Sequence, residues 1–147
     1  MTDFPTFAMP TLAPSTPGSP IVPFRIAPAF DFDAGDFVLD GRGRVTMATA
    51  QQAWVDWCRK ALLVERYSCL VYSDQYGVEI DRATREAAAA TVQSAIAATI
   101  TQALMRDRRT ASVTGFTFSW QGDALTVTFT VIPQTGKPTQ LGVTLNV

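Results

Sequence analysis

The chain has no histidine, only two cysteines, few charges and no long unbroken apolar run. Without histidine it cannot build a Ser-His-Asp or Cys-His nucleophile, a histidine general base or the common catalytic zinc sites. Two cysteines make neither a disulfide framework nor a zinc site. Cys58 falls in a helical pattern and Cys69 in an apolar stretch, so both are expected as buried, reduced thiols. Twelve basic and 13 acidic residues leave a net charge of -1, which offers no electrostatic basis for gripping nucleic acid or an anionic membrane. The longest apolar helical stretch, Ala87 to Leu104, is interrupted by Thr91, Gln93, Ser94, Thr99, Thr101 and Gln102, too polar for a membrane span. No basic segment leads into an apolar one at the start, so a secretory signal is not expected. Neither a catalytic residue nor a cofactor nor a metal is assigned.

What the chain does have begins with proline. Seven of its nine prolines lie between Pro5 and Pro28, and Asp3 and Arg25 are the only charged side chains in residues 1–29. Proline fixes φ and removes a backbone donor, so residues 1–29 read as an extended arm. Phe4, Phe7 and Phe24, with Leu12, Ile21 and Val22 between them, supply apolar anchors that a flexible linker would lack. Two readings stand: an arm that orders across a neighbouring subunit, or a mobile tail.

The remainder, 30–147, reads as a single α+β domain of two main helices packed on a small, mostly antiparallel sheet. Length and a 47% apolar fraction suffice for one core. Phe30, Phe32, Phe37, Val38 and Leu39 flank Ala34-Gly35 and Asp40-Gly41, whose glycines can supply the positive φ of hairpin turns. Asp31, Asp33 and Asp36 lack the ligand spacing of a calcium loop and read as surface acids. Met47, Ala50, Trp54, Trp57, Cys58, Ala61 and Leu62 recur at helical spacing and predict a helix over 46–63. A second helix is predicted from Asp81 or Thr84 to Met105, closed by Arg106, Asp107, Arg108 and Arg109 near its negative end.

The last third alternates. Phe116, Phe118 and Trp120, then Leu125, Val127, Phe129 and Val131, flank Gln121-Gly122-Asp123 and predict a hairpin with one buried face. Leu141, Val143, Leu145 and Val147 alternate to the end of the chain with no charge among them. Edge strands are ordinarily blunted by lysine, proline or bulges, so this strand either lies inside the sheet or pairs with another chain.

Between the helices lie Glu65-Arg66, then Leu70-Val71-Tyr72-Ser73 and Tyr76-Gly77-Val78-Glu79. A tryptophan-bearing helix, Glu-Arg, an apolar stretch ending in Tyr-Ser, Tyr-Gly-x-Glu, a long helix, Asp-Arg-Arg and a Phe-x-Phe strand follow one another in order over about Phe30 to Val131. This series resembles the XkdS-type phage baseplate proteins, in the lysozyme-like baseplate wedge and tail sheath initiator family of contractile tails. The resemblance implies a non-enzymatic structural protein of the tail baseplate, in six copies, assembled in the bacterial host cytoplasm. Its implied partners are the tail sheath protein, other wedge and hub proteins and the tail tube, with no nucleic acid and no membrane. It further implies that the sheet offers strand pairing to the first sheath ring, for which Leu141, Val143, Leu145 and Val147, together with the Phe116 to Val131 hairpin, are the candidates.

The family's Glu/Arg element matches Glu65 and Arg66, without its usual proline. These two either bond a wedge or core partner or form a local ion pair. Two other functions compete. A lysozyme-like enzyme needs a pair of carboxylates about 5–9 Å apart, one with a raised pKa, and Glu65, Asp74 and Glu79 are the acids near aromatic residues. Arg66 beside Glu65 is expected to lower its pKa. A stand-alone peptide-binding adaptor would use the same edge strand.

Overall fold

The computed structural model describes residues 23–86 and 91–146. Two short ribbons open the fold. Strand β1 (Ala27–Pro28) pairs antiparallel with β4 (Met47–Ala48), and β2 (Phe30–Asp31) with β3 (Asp36–Phe37). The Asp31 carboxylate accepts the N–H groups of Asp33 and Ala34 at 2.9 and 3.1 Å, and Gly35 takes φ +71°, the positive φ the sequence anticipates there. In the next turn that role passes from Gly41 to Gly43, at φ +75°. Asp40 accepts the N–H groups of Arg42 and Arg44 and closes the loop around the later glycine. Ala27 and Pro28, taken above as arm, therefore belong to the folded unit.

Helix α1 (Ala50–Leu63) starts later than predicted. Thr49 is its N-cap, at φ -61° and ψ 158°, with its side chain accepting from the N–H of Gln52. Met47 is thus a strand residue and 55% exposed, not part of the buried stripe. That stripe is Ala53, Trp54, Val55, Cys58, Ala61 and Leu62, the spacing of a helix buried along one side. The predicted second helix is described as two, α2 (Ile80–Glu86) and α3 (Val92–Met105). Thr91, at φ -112° and ψ -6°, stands outside the regular turns of α3.

Strands β5 (Thr110–Gln121), β6 (Ala124–Pro133) and β7 (Thr139–Asn146) form an antiparallel sheet in that order. Gly122, at φ +62°, turns the chain between β5 and β6. Leu125, Val127, Phe129 and Val131 are at most 1% exposed and share their face with Leu141, Val143 and Leu145 through the register Phe129↔Leu141, Val127↔Val143 and Leu125↔Leu145. The helices cover that face: Trp54, Ile96, Ile100 and Leu104 are fully buried against it. Trp54 also donates its indole N–H to Thr110 at 3.3 Å, partnering the buried hydroxyl. The opposite face is threonine-rich, with Thr117, Thr128 and Gly142 in one row and Ser119, Thr126 and Thr144 in the next.

Candidate assembly surfaces

A three-stranded sheet has two edges, and here they differ. β5 is irregular: its register with β6 shifts between Thr110 and Ser112 and again between Thr114 and Thr117, where Gly115 takes φ +69°. Such bulges break a pairing edge. β7 runs in continuous register with β6 from Thr139↔Val131 to Asn146↔Ala124. Its other edge meets no strand among the described residues. Every second residue of an edge strand points its N–H and C=O away from its neighbour, so β7 offers an unpaired ladder about 26 Å long. No charge lies within it. Leu141 is 4% exposed, while Val143 and Leu145 are half-buried. All three point into the core face, and Gln140, Gly142 and Thr144 are exposed on the other. Val147 lies outside the described residues.

The Glu65-Arg66 element is folded inward. Where α1 ends, Val64 is extended, and the chain bonds its own later segment: Val78 N–H to Val64 O at 3.0 Å and Arg66 N–H to Val78 O at 2.8 Å. The crossing is close enough that a Cβ on Gly77, at φ +96°, would stand 2.5 Å from Val64 O, so only glycine fits. The Arg66 guanidinium donates to Glu79 at 2.7 Å and to the Gly77 carbonyl at 3.2 Å. It is 8% exposed, and Glu79, which also accepts from Arg82 at 3.2 Å, is 18% exposed. Arg66 Nε is buried and finds no partner among the described residues. The ion pair is therefore Arg66 with Glu79, not with the adjacent Glu65. Glu65 has its pKa raised, by burial first and by the Asp81 carboxylate next. The adjacent arginine opposes this least, because its guanidinium is turned to Glu79. The predicted lowering is thus reversed.

This knot carries the loop from Tyr67 to Gly77 outward. Tyr67 adopts φ +68°, uncommon for a bulky residue. Leu70 and Val71 are more than nine-tenths exposed, and Tyr67 is 70% exposed. Cys69 lies on this loop and is exposed, while Cys58 is buried. The expectation of two buried thiols fails for Cys69, because its apolar neighbours form turns rather than a strand. The loop is fixed from beneath by Tyr72 against Tyr76, Tyr76 against Trp57, and Arg106 donating to Gln75 at 2.8 Å.

Of the arm anchors, Phe24 packs on Trp54 of its own chain, ring centroids 5.8 Å apart. Phe4 and Phe7 lie outside the described residues. Glu79 lines a depression of about 390 Å³ between α2 and α3 whose walls include neither Glu65 nor Asp74. Among the described residues no cluster of acids and cysteines could hold a metal ion, and no helix is long and apolar enough to cross a membrane.

Sequence reasoning named Gly77, Glu79, Asp107 and Arg109 within its motifs but missed the contacts by which they shape these surfaces from within. Gly77 and Glu79 sit in the Tyr-Gly-x-Glu segment, and a glycine beside β-branched residues is the signal that two backbones approach closely there. Asp107 and Arg109 form a forked, largely buried pair that turns α3 into β5, with Arg109 also 5.9 Å from the Trp57 ring centroid.

A search of curated proteins finds no match to this chain. The family model described as contractile injection system sheath initiator matches residues 27–136, from β1 to the loop ahead of β7. That span holds both ribbons, all three helices and the β5–β6 hairpin, and the chain belongs to the contractile injection system sheath initiator family.

Proposed function

We propose that this chain starts the sheath of a contractile tail by lending the open edge of β7 to a strand of the first sheath ring, while the Tyr67–Gly77 loop seats it in the baseplate. The family's role makes sheath and tail components its partners in general terms. The observation that carries the strand-pairing reading is the contrast between the two edges of the sheet. β5 is bulged twice, whereas β7 has an unbroken register and no charge. A strand added to β7 gains main-chain hydrogen bonds along the ladder, and its own alternating side chains extend the apolar row of Leu141, Val143 and Leu145. That row fixes register, since a slip of one residue would turn the added strand's apolar side chains to the threonine face.

On the baseplate side the contact moves from charge to shape. Because Arg66 is spent on Glu79, Glu65 and Arg66 position the loop, and its exposed tip of Tyr67, Leu70 and Val71 makes the contact with wedge or hub proteins. Six copies around the tail tube, in a particle assembled in the host cytoplasm, belong to this reading. It requires no reaction.

The test is to charge the edge without touching the core. A Cβ on Gly142 would meet Val127 O and Thr128 Oγ1 only at 3.7 and 3.8 Å, ordinary contact, and Thr144 is exposed. The double variant Gly142→Lys/Thr144→Lys should melt within about 4 °C of the parent. In particles carrying it, tubes and baseplates should form while sheath fails to polymerise, as electron microscopy would show. Normally sheathed tails would sink the proposal.

A further inference from the structure

Between α1 and the β1–β3 ribbons lies a groove of about 690 Å³, well within the size of sites that enclose a ligand. Phe30, Phe32, Phe37, Trp57 and Leu63 form its apolar wall. Phe30 meets Phe32 and Phe37 edge-on, with centroids 5.0 and 5.4 Å apart, so the rings are held in a fixed arrangement. Phe37 is nevertheless 48% exposed and Leu63 67% exposed. Phe37 and Leu63 thus leave apolar surface open beside the groove, framed by polar residues. Arg25 and Lys60 lie on its rim with one acid, Asp56, which already accepts a hydrogen bond from Gln52.

Arg25 and Ile26, which closely follow the first 22 residues in sequence, are part of this groove's wall. The sole charged side chain of those first 22 residues is Asp3, beside Phe4 and close to Phe7. We propose that the groove receives the Asp3–Phe7 segment of a second copy of this chain. Phe4 and Phe7 pack on the Phe30, Phe37 and Trp57 wall, and Asp3 meets Lys60 and Arg25. A second copy is favoured by the spacer. The 15 residues from Ala8 to Val22 hold Pro10, Pro14, Pro17 and Pro20. A proline-rich segment of that length is a semi-rigid span of about 45 Å. At that length the anchors would stand away from their own groove, and a stiff linker gives a low effective concentration for closing back. The nearest identical groove is on the adjacent copy. The arm would thereby link copies into a ring, a contact separate from β7.

The experiment uses the full chain with a benzophenone amino acid in place of Phe4 or Phe7, in an equal mixture of light- and heavy-nitrogen protein, irradiated and then digested. Cross-links should join the arm to peptides spanning 26–37 or 53–63, about half of them between light and heavy chains. The variant Phe37→Ser/Lys60→Glu alters two exposed positions. It should retain the parent's circular dichroism and cut the cross-link yield about tenfold. Cross-links within one isotope only would place the arm on its own groove and overturn the assignment to a second copy. Cross-links elsewhere, none at all, or a yield indifferent to the groove variant would overturn the groove itself.

Discussion

Arg66 and Glu79 are bound to each other 13 positions apart in the chain, and the strengths of their surroundings differ. Glu79 keeps Arg82 if Arg66 is lost, whereas Arg66 without Glu79 keeps only the Gly77 carbonyl. Breaking a buried pair leaves an uncompensated charge, at a cost of about 3–5 kcal/mol. Glu79→Leu is therefore expected to destabilise more than Arg66→Met, and the double variant should recover much of either loss. Urea unfolding midpoints on the three proteins check the order. Glu65 gives the reverse situation. Its folded pKa lies above the ordinary value because burial and Asp81 disfavour the charge. The native state thus binds its proton more tightly than the unfolded chain, so its contribution is full at low pH and is lost as pH rises through the folded pKa. Glu65→Gln should melt higher than the parent at pH 7, with the gap closing below about pH 4. A gap that persists at low pH would show that the charge is not the cause.

The same contrast between local and distant causes separates what could be read in advance at the scale of elements. β6 was legible because a strand buried on one face repeats every second residue, as Leu125, Val127, Phe129 and Val131 do. The stripe through Trp54, Cys58, Ala61 and Leu62 was legible for the helical version of that reason. The start of α1 was misplaced because Met47 and Ala50 fit the helical spacing, although Thr49 and Gln52 spell a capping pair. The apolar run around Leu70 and Val71 looks like a strand, yet it pairs with no strand among the described residues, and the backbone crossing at Gly77 reveals it as a loop. The Arg66–Glu79 pair has no periodicity, so nothing in the sequence joins its members. β7 was visible as a strand, but its apolar side chains face inward, which changes how it can be tested. Deleting 141–147 would strip Leu141 from the core along with the half-buried Val143 and Leu145. It should cost at least about 3 kcal/mol. The lysine variants at 142 and 144 should leave stability nearly unchanged; comparing unfolding midpoints separates a lost edge from a lost strand.

For the molecule as a whole, the two thiols report on one cooperative unit. Cys58 is buried where α1 meets the sheet, and burial pushes its pKa up to about 12. Cys69 is exposed on the outer loop. A thiol reagent should label one site per chain rapidly in the native state, and the second only at the rate of global unfolding. Two fast sites would mean that α1 opens on its own.

The continuous register of β7 also has a mechanical meaning. Hydrogen bonds between antiparallel strands lie perpendicular to them, so a pull along β7 loads every rung at once, in shear. A pull across it would open the rungs one after another, as a zipper. The two register shifts divide β5 into shorter ladders, which share such a load less evenly. The sheet is thus strongest in tension along β7, and a neighbour held in line with it would be the hardest to tear away.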